Sequence, residues 1–267
     1  MPTPFQHLVY AELVERHPAL PPAVRRLLRD AWGPYLLGST AGDVQVMTQQ
    51  RRVETHFYHL ADIGVRPAVS ALFAAHPHLA RPAELPAAHA AFLTGYLVHL
   101  IWDEVWARDI FIPLYRDGSQ WREPLDYHLH HNALRVLLDS DAYSALYGRV
   151  DLLAALRTVT PYGWLPFAPD QALLAWRDWL VAQLSDAARL QTALVFAERM
   201  HVPVEDLAAL VEALRAGAYA QIPDWSACIE RYVNCALEES VTTVLRYWGI
   251  ADRLEPREKA QQASLEV

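Results

Sequence analysis

Apolar positions along the chain repeat with a helical period in almost every segment that has a clear period. Residues 5–13 and 24–32 carry apolar side chains three and four positions apart, which predicts an amphipathic helix in each. We expect the second helix to stop at Gly33 and Pro34, a common helix-ending pair. No alternating strand of more than four residues stands out. The pattern therefore predicts an all-α protein.

A long helix is predicted over residues 86–111, ending before Pro113, because proline removes a backbone donor and disfavours helix at the residue before it. A shorter helix is expected over 67–73. Later helices are predicted over 131–148, 170–200, 203–218 and 223–248. The segments left as loops are 38–56, 76–86, 116–127 and 158–169.

Composition is compatible with one large core, since 53% of the 267 residues are hydrophobic. We predict a single helical domain over residues 1–250 and a polar, disordered tail over 251–267. The net charge is −8 and no block of basic residues occurs, so binding to extended nucleic acid is not expected. No apolar run reaches the ~20 residues of a membrane-spanning helix, and no secretory signal is visible.

The two cysteines, Cys228 and Cys235, are seven residues apart. On a helix this spacing separates them by roughly 10 Å, too far for a disulfide. We expect two small buried side chains, which is compatible with a cytoplasmic, reducing location.

Ionisable residues interrupt the most apolar segment, GYLVHLIWDEVWARDIF, residues 95–111. His99 and Asp103 are four apart and share one helix face, where both could point at one metal ion. The alternative is an internal pair in which the imidazole donates to the carboxylate. Asp109 is expected close to the same side, and the alternative is an ordinary surface contact with Arg108. A buried carboxylate needs a partner or a metal, because desolvation costs several kcal/mol.

Three further candidates come from the first sixty residues. Asp43 follows a glycine-rich turn, and His56 precedes two aromatic residues in a weakly periodic segment that could bring ligands in from the side of a bundle. The alternatives are a helix-capping aspartate and a histidine on an apolar loop. His7 lies within the apolar set of the first helix, where a core histidine is the alternative.

A third histidine group, His128, His130 and His131, precedes the helix predicted from residue 131. His131 and Asp139 are eight apart and could face the same way. A loop of solvated histidines is the alternative.

The order of these motifs resembles the zinc-dependent phospholipase C family, which shares a helical fold with the S1/P1 nucleases. The resemblance covers roughly residues 1–140, and its most specific part is G-x-x-x-H-x-x-x-D at 95–103. It implies a single-domain helical bundle of that type. It also implies adjacent metals held by five side chains, with Asp103 as the bridge. These are His7, Asp43, His56, His99 and Asp103.

The family's remaining zinc takes a histidine six residues after that aspartate and then an H-x-x-x-E pair, and this chain departs from both. Asp109 stands at the first position, and the second reads His131-x-x-x-Arg135. The third site is then lost, or holds a different metal through Asp109, His131 and Asp139, or binds phosphate through Arg135. We therefore expect one to three Zn²⁺ ions, most simply two.

The resemblance implies a metal-dependent phosphoesterase that hydrolyses a small phosphodiester such as a phospholipid or a nucleotide. Asp43, a carboxylate on a loop, is the expected group to orient or deprotonate the attacking water. The alternative hypothesis is a non-catalytic helical binding or scaffold protein that keeps the fold with at most one structural metal.

Overall fold

The computed structural model describes residues 1–121, 123–186, 191–217, 222 and 224–250. Within these residues the chain is all-α and contains no strand, as predicted. The predicted tail, 251–267, lies outside the described residues. The helices are α1 Pro4–Arg16, α2 Pro22–Asp30, α3 Trp32–Gly38, α4 Gln45–Thr48, α5 Arg52–His56, α6 Ala68–Ala75, α7 Ala87–Trp106, α8 Pro124–Leu146, α9 Val150–Arg157, α10 Asp170–Ser185, α11 Thr192–Met200, α12 Val204–Arg215 and α13 Trp225–Tyr247.

Helix α7 is the centre of the bundle, because it is apolar on most sides and its neighbours bury it almost completely. α3 and α13 make the most extensive contacts with it. Trp102 and Trp106 are fully buried, and Tyr10 stacks on Trp102 with ring centroids 3.7 Å apart. One contiguous apolar cluster extends from α1 to α13. No helix in the described part of the chain is both long enough and apolar enough to span a bilayer.

Two glycines allow α3 and α7 to cross at backbone contact. A Cβ atom on Gly95 would lie 2.1 Å from the carbonyl oxygen of Tyr35, and one on Gly38 would lie 1.9 Å from that of Phe92. No larger residue fits at either position without moving a helix. The crossing brings the end of α3 against α7 one turn before His99, and this contact positions the site described below.

The long helix does not end before Pro113, contrary to the sequence prediction. It continues as a π-helical segment, Ala107–Arg116, with Pro113 inside it. A π-helix pairs each amide with the carbonyl five residues back, as in the bond from the Asp117 amide to Ile112. Pro113 has no amide proton to donate, so one hydrogen bond of this segment is absent at that residue.

Other predicted boundaries were also wrong. Pro34 does not stop a helix, because α3 begins at Trp32 and places Pro34 in its first turn, where no intrahelical amide donor is needed. The segment 38–56 contains short helical turns rather than a loop. His128, His130 and His131 lie inside α8, not before it. Cys228 and Cys235 are free thiols as expected, but they are half-buried rather than buried.

Candidate metal centre

His99 and Asp103 lie one turn apart on α7 and are both buried, with 0% and 1% of their surface exposed. The α3–α7 crossing holds the carbonyl oxygen of Ser39 3.0 Å from His99 Nδ1. A carbonyl oxygen only accepts hydrogen bonds, so His99 Nδ1 carries the proton and Nε2 keeps its lone pair. A hydrogen-bond acceptor on the ring nitrogen that does not bind the metal fixes the orientation of a metal-binding imidazole.

Gly42 closes the other side of the His99 ring. It lies in a short 3₁₀ turn, Ala41–Val44, that follows α3. A Cβ atom added to it would lie only 2.2 Å from His99 Nε2. Glycine is therefore required here because the backbone and the ring are in direct contact. The same turn sets Asp43, the next residue, at the edge of the site.

His56 approaches His99 from α5. Its Nδ1 lies 2.9 Å from Thr55 Oγ1 and 3.3 Å from the carbonyl oxygen of Arg52. The Thr55 hydroxyl also lies 3.3 Å from that carbonyl oxygen and can donate to it, which leaves its oxygen able to accept from His56 Nδ1. In the tautomer that carries its proton on Nδ1, His56 presents a free Nε2, which lies 3.1 Å from His99 Nε2 and 3.1 Å from Asp103 Oδ2.

In that tautomer three acceptor atoms converge with no proton between the two rings, while Arg52 Nη2 donates to Asp103 Oδ2. Burial lowers the pKa of His56, and it lowers that of His99 well below the ordinary value, so both rings are neutral near pH 7. Lone pairs and a carboxylate at these distances repel one another unless a cation lies among them. A divalent cation would remove this conflict.

His7 completes the inner side of the cluster from α1. Its ring stacks on that of His99 with centroids 4.0 Å apart, and its Nε2 lies 3.3 Å from Asp103 Oδ1. Neither ring nitrogen of His7 has a hydrogen-bond partner, and neither does Asp103 Oδ1. Buried polar atoms without partners are costly, and ones that face each other are typical of a site built for an ion.

Asp43 and Arg52 form the open side of the cluster. Asp43 Oδ1 lies 3.7 Å from His56 Nε2 and 3.9 Å from Arg52 Nη1, and the two side chains are 17% and 30% exposed. Arg52 Nη2 also donates to Asp103 Oδ2. Burial would raise the pKa of Asp103, but the Arg52 guanidinium beside it holds that pKa well below its usual range. Asp103 is therefore ionised and able to bind a cation.

The donor atoms fit a divalent metal. Two sets of residues place one ligand atom each within 4.8 Å of one another, namely His7, His99 and Asp103, and Asp43, His56 and His99. Bonds of about 2.1 Å in a tetrahedron would separate ligand atoms by roughly 3.4 Å, close to the separations here. His99 offers only Nε2, so it can serve one ion. A second ion would depend on the two oxygens of Asp103, which face different imidazoles.

The structure brings together five of the seven residues predicted from the sequence and leaves Asp109 and His131 outside. Asp109 forms an ion pair of 2.7 Å with Arg108. His131 Nε2 accepts a hydrogen bond of 3.0 Å from Trp106 Nε1, which occupies the atom a metal would need. Asp139 is also engaged elsewhere, because it accepts from the Phe5 amide and the Thr3 and Thr192 hydroxyls. No third ligand set forms among the described residues.

Sequence reasoning missed Arg52 and the role of Gly42. Arg52 and His56 are four apart on α5, which was the available signal that the guanidinium and the imidazole share a face. Gly42 gave no such signal, because its importance comes from a contact between distant parts of the chain.

No protein-family model, curated protein or solved structure matches this chain. The resemblance to zinc-dependent phospholipases C therefore stays a prediction.

Proposed function

We propose that this protein is a metal-dependent phosphoesterase, with zinc as the metal, that hydrolyses a phosphodiester such as a phospholipid or a nucleotide. The observation that carries the proposal is the convergence of His56 Nε2, His99 Nε2 and Asp103 Oδ2, three acceptors 3.1 to 3.7 Å apart. A buried cluster of this composition suits Zn²⁺.

The charges around the cluster favour an anionic substrate. Asp43 and Asp103 are the acidic members, and the guanidinium groups of Arg52 and Arg135 are close enough to influence the same carboxylates. The fixed charges therefore nearly balance before any metal is counted. A divalent cation would leave the site positive, as binding of a phosphodiester anion requires.

A bound zinc would supply Lewis acidity, lowering the pKa of a water molecule and polarising a phosphoryl oxygen. The chain's own residues would supply the rest of the chemistry. Asp43, at the open side, would orient the attacking water and accept its proton. Arg52 would hold a phosphoryl oxygen and offset the charge that develops there. The buried imidazoles and the aromatic wall behind them would exclude bulk water.

Metal content is the direct test. Protein purified without chelator should contain one or two zinc ions per chain by elemental analysis, and it should hydrolyse bis(p-nitrophenyl) phosphate. Removal of the metal should abolish hydrolysis, and added zinc should restore it. Hydrolysis that continues undiminished in metal-free protein would overturn the proposal.

Asp43→Asn should separate catalysis from metal binding. The amide keeps an oxygen near His56 but cannot accept the proton, so we expect kcat to fall roughly 10²- to 10⁴-fold while at least one zinc remains. The measurement is kcat across pH, together with zinc content. Asp62→Asn, on an exposed turn, is the matched control and should behave as the unmodified protein. An Asp43→Asn variant with full kcat would remove Asp43 from the mechanism.

A second candidate is a non-catalytic helical binding or scaffold protein with at most one structural metal. The contact between Arg52 and Asp103 favours it, because the guanidinium takes a place on the carboxylate that a metal would otherwise use. This role predicts one zinc at most, a higher melting temperature with zinc, and no hydrolysis of phosphodiesters. The free thiols Cys228 and Cys235 are compatible with the cytoplasmic location that we propose for either role.

A further inference from the structure

A cleft adjoins the open side of the metal centre and begins at Asp43. α8, α10, α11 and the residues before α1 form its walls. Its lining includes Asp43, Arg135, Trp176, Trp179, Phe196 and Arg199. Asp43 is its one acidic residue among those described, whereas two arginines and three aromatic rings face the same space. The cleft is therefore apolar along its walls and positively charged.

Arg135 has no acidic partner within ion-pair distance among the described residues. Its Nε donates to the carbonyl oxygen of Met1, and its Nη1 donates to Asn132 Oδ1 at 2.9 Å. Its guanidinium carbon lies 4.3 Å from the centre of the Phe196 ring. All three partners are neutral, whereas half-buried and buried cations are usually paired with an anion. Burial lowers the pKa of Arg135 to about 10, so it is charged at neutral pH.

Arg199 adds a second positive charge at the rim of the cleft. It lies on α11, one turn beyond Val195, and it is exposed. Trp179 stacks on Trp176 with ring centroids 4.9 Å apart, so the indoles form a flat apolar wall. An anionic group placed against the arginines could therefore have an aromatic or aliphatic group next to it in contact with Trp179 and Phe196.

We infer that this cleft is a substrate subsite in which Arg135 binds a second anionic group, a phosphate or a carboxylate, that the substrate carries beside its phosphodiester and next to an apolar group. The substrate class is then an anionic phosphoester rather than one with a cationic or zwitterionic headgroup. The inference rests on the proposed function, because the anionic group bound here is a second one only if the phosphodiester itself binds at the metal centre beside Asp43.

The test is a calorimetric titration with phenyl phosphate, which joins an anion to an aromatic ring. We expect it to bind the protein as purified and also after chelator treatment. Arg135→Gln should weaken binding about 10-fold or more in both preparations, because the variant loses a charged hydrogen-bond donor to the anion. Phenylacetate, titrated in parallel, identifies which anion the cleft prefers. Benzyltrimethylammonium should not bind.

Two further variants keep the test independent of folding. Arg215→Gln on α12 removes an arginine that contacts Asp141, away from the cleft, and should leave binding unchanged. Arg199→Glu reverses a charge on an exposed residue and should weaken phenyl phosphate binding even if Arg135→Gln fails to fold.

The inference would be overturned if phenyl phosphate failed to bind, or bound Arg135→Gln and Arg199→Glu as tightly as the unmodified protein. Binding that was lost when the metal was removed would also overturn it, because the anion would then be held by the metal. The titration after chelator treatment does not depend on a metal. Its result would therefore still test the cleft if the protein proved not to be a phosphoesterase.

Discussion

Replacing His99 by alanine should remove the metal and the hydrolysis together while the helical bundle stays folded. Nε2 of His99 belongs to both ligand sets, so its loss leaves neither complete. Substitution of a residue that merely orients a metal ligand lowers metal affinity or activity about 10- to 100-fold. Loss of the ligand itself should therefore lower them roughly 100-fold or more. Elemental analysis and kcat/KM on bis(p-nitrophenyl) phosphate are the measurements, with thermal unfolding to establish that the variant is folded.

His78→Ala is the matched control for this experiment, because His78 lies exposed on a surface turn. It should keep both zinc and activity. A folded His99→Ala variant that retained its zinc would show that the ion lies elsewhere. If it lost zinc but kept its hydrolytic activity, the metal would have no part in catalysis.

Gly42→Ala should disable the site without removing any ligand. The added methyl group would lie 2.2 Å from His99 Nε2, closer than two such atoms can approach. The ring cannot easily move away, since Ser39 holds its other nitrogen and His7 stacks on its face. We expect zinc affinity to fall roughly 100-fold, and the free energy of unfolding to fall by about 1–3 kcal/mol. Zinc titration and thermal unfolding measure the two effects.

Gly163→Ala makes the same chemical change where no atom lies within 4 Å of the new methyl group. Gly163 has a positive φ of 64°, so alanine there should cost about 1 kcal/mol of stability through the backbone alone. Zinc affinity should not change in this control. If Gly42→Ala bound zinc as well as this control does, the close packing around His99 would be irrelevant to the metal.

The all-α class and the central helix could be predicted from the sequence because they depend on local periodicity. The spacing of His99 and Asp103 alone was enough to place both on one face of α7. His7, Asp43 and His56 were harder, because each has an ordinary structural explanation on its own. The order of motifs along the chain singled them out, and the structure brings all three to the same carboxylate or to its nearest imidazole.

The positions of Asp109 and His131 depend on contacts that the periodicity of the sequence does not indicate. Asp109, six residues after Asp103, was expected near the same side of the helix, but six residues do not complete two α-helical turns of 3.6 residues each. The π-helical segment that begins at Ala107 alters the rotation further and directs Asp109 toward Arg108. His131 is removed from the site by a hydrogen bond to Trp106, a partner that no local pattern indicates.

The ligands come from two kinds of structural element. His99 and Asp103 lie on the one helix around which everything else packs, whereas Asp43 and His56 lie on short turns between residues 41 and 56. An ion shared by the two groups would act as a cross-link between these short turns and the central helix. The ordering caused by the ion would be greatest in residues 41–56, which border the open side of the site, and smallest in α7.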